Sequence, residues 1–153
     1  MSVATLLQTV CSGFLLAVLW MDLIFDSQVV GHRHVTALPE PVLGAIAGYY
    51  RRATTTSRPM SFLISVVMVT LLGALAFRAA SGQDPAWLLA AFFALAGAPI
   101  LLALARTVRN AVRLGTREDT PEDQSRLARM VFTDHVACFG LMLGFVVLLI
   151  STS

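Results

Sequence analysis

Residues 130–150 read MVFTDHVACFGLMLGFVVLLI. A helix crosses a bilayer in about 20 residues, so this run is long enough to span. It also places a carboxylate and an imidazole side by side near its start, at Asp134 and His135. Three further apolar runs of the same kind cover 4–25, 60–80 and 86–105. The expected fold is an all-α integral membrane four-helix bundle: one four-span domain with no internal repeat and no second domain.

Composition agrees with that reading. Of 153 residues, 57% are hydrophobic and 13% charged, and the mean hydropathy is +0.77. Soluble domains carry about 25% charged residues, and disordered chains combine low hydrophobicity with high net charge. The first comparison argues against a water-soluble globule, and the second excludes a disordered chain. The net charge of +2 is too small to suggest a nucleic-acid partner. Two cysteines, Cys11 and Cys138, make no disulfide framework, and they fall at different depths on different spans. No positive charge precedes the first span and no small-residue cleavage site follows it, so a cleavable signal peptide is not expected.

Arginine sets the expected orientation. Every basic residue is Arg. Arg33, Arg51, Arg52 and Arg58 lie between spans one and two, and Arg106, Arg109, Arg113, Arg117, Arg126 and Arg129 between spans three and four. The connection between spans two and three has only Arg78. The positive-inside rule then places both termini outside and both Arg-rich segments in the cytoplasm. Exclusive use of Arg over Lys, with abundant Ala, suits a GC-rich bacterial source, which makes the compartment the plasma membrane.

Local signals set the expected boundaries. Thr120-Pro121-Glu122-Asp123 reads as an N-cap, a first-turn proline and acidic residues facing the positive end of the helix dipole. Asp84-Pro85 reads the same way for span three. The spacing predicts that span three continues to Leu114 with Gly115 as its stop, leaving a cytoplasmic helical hairpin over about 106–129 whose turn is 115–119. Pro39-Glu40-Pro41 opens a segment with Val42, Leu43 and Ile46 at helical spacing, ending in Tyr49-Tyr50-Arg51-Arg52. That segment is expected to be an interfacial amphipathic helix with its tyrosines at headgroup level and its arginines in water. Thr54-Thr55-Thr56-Ser57 reads as linker and cap. Small residues permit close approach of helices in a membrane, so Gly140 and Gly144, Gly13 and Ala17, and Ala90 and Ala94 are expected at packing faces inside the bundle, with a dimer face as the alternative. Pro99 is expected to kink span three.

Ionisable groups inside spans are costly and mark candidate sites. Asp22 and Asp26 lie one turn apart on span one, Asp134 and His135 enter span four, and Arg106, Arg109, Asn110 and Arg113 form a stripe leaving span three. At one depth these groups are expected to form a connected cluster of Asp22, Asp26, Arg106, Arg109, Asp134 and His135. Three uses are open. Carboxylate–guanidinium pairs can simply fix helix register. Asp22, Asp26 and His135 are candidate ligands for a metal ion, since carboxylate and imidazole suit iron, manganese or zinc. Alternatively His135, Asp134 and Asp22 are catalytic acid–base groups, with Arg106, Arg109 and Asn110 binding substrate or anion. Cys138, three residues after His135, is the one thiol placed to join such a site.

The stretch from Arg109-Asn110 to Leu114, followed by Arg129 to His135 with Phe132 before the histidine, resembles the small four-helix membrane proteins of the anthrone-oxygenase-like superfamily. Cys138 stands where that family often carries an arginine. The resemblance implies a membrane-embedded pocket that oxidises a lipophilic, often aromatic and polyketide-like, substrate with molecular oxygen. Two other classes stay open: an accessory subunit of a larger membrane complex, and a small homo-oligomeric transporter or channel lined by Asp22 and Asp134.

Overall fold

The structure, a computed structural model, describes residues 2–152, apart from the side chain of residue 58. The described residues form helices and connecting turns, with no strand among them. Helix α1 spans Val3–Asp26 and runs on through a 3₁₀ segment, Ser27–His32. Helix α2 covers Glu40–Arg51, α3 Arg58–Ala80, α4 Ala86–Leu102, α5 Val108–Thr116 and α6 Pro121–Ser151. Four helical stretches are long and apolar enough to cross a membrane: Val3–His32, Pro59–Ala80, Ala86–Thr116 and Pro121–Ser151. These are the four stretches the sequence marks.

Helices α1, α3, α4 and α6 pack in a ring, with α1 against α3 and α6, and α4 against α6 and α3. Leu15, Leu71, Leu75, Phe92, Met142 and Phe145 fill its centre. Burying a side chain of that size is worth about 1.5–3 kcal/mol against water. Against lipid, van der Waals packing carries more of the load. A second core lies at the Arg-rich end, where α2 packs on α5. Leu43, Ile46 and Tyr50 of α2 meet Leu114 of α5 and Leu127 and Val131 of α6 there.

Thr120 caps α6 as its sequence predicts, accepting a hydrogen bond from the Asp123 amide at 3.2 Å. Asp84 does not cap α4: the N-cap is Pro85, whose ring carries no hydrogen-bonding atom. The Asp84 carboxylate instead takes two bonds from Arg78, at 2.6 and 3.0 Å. The same guanidinium bonds Gln8 of α1 at 3.2 Å and lies 4.7 Å from the centre of the Phe92 ring. A bidentate ion pair outbids a single cap bond for a carboxylate. This latch joins α1, α3 and α4 at the end opposite the second core.

Other expectations give way to packing. Helix α5 runs through Gly115 to Thr116 and ends where Arg117 adopts a left-handed conformation, φ 60°. Gly115 is a contact residue: a Cβ there would sit 2.9 Å from the Arg51 amide nitrogen. The 52–56 segment is a π-helical extension of α2 rather than a linker, and Ser57 makes no side-chain cap. The expected small-residue faces mostly turn outward. Gly13, Ala17, Ala90, Ala94 and Gly140 are exposed, and only Gly144 has a close neighbour, the Leu95 side chain at 3.5 Å. The ring is filled instead by large side chains such as Leu71, Phe92 and Phe145.

Candidate functional site

The site begins with two carboxylates one turn apart at the end of α1. Asp26 is fully buried and Asp22 is partly buried. Helix α2 lies across this end, and its last turn brings in both tyrosines of the chain. The Tyr49 hydroxyl donates to Asp22 Oδ1 at 2.6 Å. The Tyr50 hydroxyl reaches both Asp26 oxygens, at 2.7 and 2.8 Å. Tyr49 also stacks on Phe25, with ring centres 4.2 Å apart. Burial, reinforced by the neighbouring carboxylates, pushes both phenols well above their ordinary range. They therefore stay protonated and act as donors.

His135 of α6 closes the group. Its Nδ1 is 2.7 Å from Asp26 Oδ2 and 3.2 Å from the Tyr50 hydroxyl, and its Nε2 is 3.8 Å from Asp22 Oδ2. The ring is thus bracketed by a carboxylate on each nitrogen. Asp26 holds a proton on Nδ1, which leaves Nε2 as the atom free to accept or release one. Buried carboxylates without a partner are strongly destabilising. Here the phenol and imidazole donors satisfy them, each bond to a charged group contributing about 1.5–3 kcal/mol.

The six-residue cluster expected from the sequence is therefore only half formed. Asp22, Asp26 and His135 come together. Asp134, one residue before His135 and about 100° round the helix, faces the π-helical segment between α4 and α5 instead. It pairs there with Arg106, whose Nε lies 3.0 Å from Oδ2 and whose Nη2 makes a second contact, and it accepts from Thr107 Oγ1 at 3.0 Å. The π-helical segment Ala103–Thr107 turns Arg106 and Thr107 to this face, a role such insertions often have at functional positions. Arg109 is exposed and joins neither group. Asn110 is buried among the α5 packing residues, and its Nδ2 lacks a hydrogen-bond partner. Cys138 is buried with Sγ 3.7 Å from the Pro99 carbonyl, so it points to α4 and not to His135. Cys11 and Cys138 are both free.

A metal reading does not fit this geometry. Among the described residues no three His, Cys, Asp or Glu side chains converge as a ligand set. The candidate ligands fail for a visible reason: Asp26 is engaged with Nδ1, so only Asp22 and Nε2 face each other.

Tyr49 and Tyr50 are the functional candidates that sequence reasoning missed. Their burial has a sequence signal, since Leu43, Ile46 and Tyr50 fall at i, i+3 and i+7. That face meets protein here, where headgroup level was expected. Comparison with known proteins finds no matching family model, curated protein or solved structure.

Proposed function

We propose that this chain is a small membrane enzyme performing acid–base chemistry on a lipophilic substrate, with His135 Nε2 as the proton-transferring atom. The supporting observation is the bracketing of His135. Asp26, fully buried, fixes the ring at 2.7 Å, while Nε2 and Asp22 face each other at 3.8 Å on side chains that keep 10% and 14% exposure. One carboxylate orients the ring, and the other pairs with the working nitrogen. An oriented imidazole of this kind typically contributes 10²–10⁴-fold to a proton transfer. The family resemblance implies a lipophilic, often aromatic and polyketide-like substrate, and a member of that class with an acidic C–H suits such a base. The orientation proposed is the one arginine suggests, with the site at the cytoplasmic side of a bacterial plasma membrane.

Anthrone in D₂O under nitrogen, with the protein reconstituted in liposomes, tests the base directly. Native protein is expected to accelerate C–H/D exchange over empty liposomes, and His135→Gln to remove the acceleration. Equal rates with native protein, variant and empty liposomes would overturn the proposal. The accessory-subunit reading is favoured by one observation, the outward position of Gly13, Ala17 and Gly140 on α1 and α6. Co-purification of a stoichiometric membrane partner, lost on Gly13→Leu, would support it.

A further inference from the structure

Arg129 is held in an unusual way for a guanidinium at a membrane boundary. Its Nη atoms donate only to neutral carbonyls, those of Thr36, His32 and Val35, at 3.3, 3.2 and 2.6 Å. Its buried Nε has no partner, and among the described residues Arg129 forms no ion pair. The charge is therefore fixed in place and uncompensated.

Two grooves flank this side chain and share it together with Thr133. The smaller, about 250 Å³, is lined by Val29, Arg33, Arg129, Phe132 and Thr133. It contains two arginines, two apolar side chains and no acid. The larger, about 630 Å³, adds Arg106, Arg126 and Met130 with Glu122 and Asp123. There the charges largely cancel, because Asp123 pairs with Arg126 and Asp134 with Arg106. Arg33 is exposed and forms no ion pair among the described residues. The excess positive charge thus sits in the smaller groove, between Arg33 and Arg129.

Below the arginines the same face of α6 becomes an apolar track. Val136, Leu143 and Val147 are 47%, 45% and 57% exposed. Gly140 lies between them with open space where a Cβ would be. Charge above and a shallow apolar trough below is the profile of a lipid seen side-on. Arginine's planar donors suit a phosphate, and basic pockets between membrane helices recognise anionic headgroups.

We propose that the Arg33–Arg129 groove binds the phosphodiester of an anionic glycerophospholipid, whose acyl chain follows the Val136–Gly140–Val147 track on α6. A specific site of this kind ties the 27–36 segment to α6 through the ligand as well as through Arg129, independently of any chemistry at His135. Val29 and Phe132 cover the glycerol region; exposed Arg33 donates to the phosphate oxygens, and Arg129, held by the carbonyls of the 32–36 segment, adds its fixed positive charge.

Native mass spectrometry in detergent, titrated with phosphatidylglycerol, phosphatidylcholine or glycerol phosphate, reads this directly. Native protein is expected to retain one phosphatidylglycerol in preference to both other ligands. Arg33→Gln, at an exposed position, removes a charge-assisted contact and should weaken that binding about tenfold. Arg113→Gln makes the same charge change away from the groove and should leave it unchanged. Unaltered binding by Arg33→Gln would overturn the site, as would equal loss in Arg113→Gln, which indicates a diffuse surface effect. Equal retention of phosphatidylcholine would overturn the anionic headgroup, and equal binding of glycerol phosphate would overturn the lipid.

Discussion

Two tyrosine hydroxyls decide how a pair of carboxylates survives inside this bundle. Because Tyr49 and Tyr50 are the chain's two tyrosines, absorbance of tyrosinate reports on the site alone. Burial and the adjacent carboxylates raise both above their ordinary value of 10.0. A group whose folded value is raised stabilises fully below its unfolded value and loses that contribution as pH climbs beyond it. Tyrosinate absorbance is therefore expected to stay absent in folded protein at pH 11 and to appear together with unfolding. Normal phenol titration without loss of helicity would contradict the buried placement. Tyr50→Phe keeps the packing and removes the bonds to Asp26 and His135. It should destabilise the protein by about 1–3 kcal/mol, measured by unfolding in mixed micelles, and should flatten the alkaline limb. Asp84 gives the opposite sign. The bonds from Arg78 hold its carboxyl below the usual 3.8, so the latch is intact above that value and is lost as pH falls below it. Acid unfolding that is unchanged in Asp84→Asn would show that the latch carries no stability.

The position of α2 depends on one glycine. Its backbone and that of α5 meet at Gly115, where an added Cβ would approach Arg51 N at 2.9 Å, Arg51 Cα at 3.1 Å and Tyr50 C at 3.3 Å. All three are backbone atoms and cannot rotate away. Gly115→Ala must move the helix that carries Tyr49 and Tyr50, so a loss of about 1–3 kcal/mol is expected. Disturbed tyrosine titration should accompany it. Gly140→Ala serves as the contrast, since nothing lies within 4 Å of its Cβ position, and its unfolding midpoint should match or exceed that of native protein. If Gly115→Ala is equally silent, α2 is not seated on α5 as described. The sequence marks Gly115 as special, but as a helix stop. A close approach between elements 64 residues apart in the chain leaves no local trace, whereas a stop and a contact both favour glycine.

At the scale of the whole molecule, four membrane-length helices and the uneven distribution of arginine make a testable topology. A cysteine at exposed Gln83 should react with an impermeant thiol reagent on intact cells, and one at exposed Glu118 should not. The native thiols at Cys11 and Cys138 are buried and add no background. Labelling at Glu118 alone would invert the bundle and carry His135 and the Arg33–Arg129 groove to the outer face. Ser153 and the Arg58 side chain, which also bear on orientation, lie outside the described residues.

The amino-acid pattern alone determined the all-helical class, the four long apolar helices and the Thr120 cap, because these depend on neighbours within a few residues. Apolar run length, a capping oxygen and a first-turn proline act locally and are written locally. It also singled out Asp22, Asp26 and His135, because a charge inside an apolar run stands out at once. Only the tertiary structure decided which of those charges meet. Asp134 and His135 are adjacent in the chain, yet a 100° step round the helix sends one to Arg106 and the other to Asp26. Tyr49 and Tyr50 entered the site because α2 folds back over the end of α1, a choice made by the Gly115 contact and the second core. Side-chain partners across helices depend on rotation and depth together, and a linear pattern records each helix's own faces but not which faces meet.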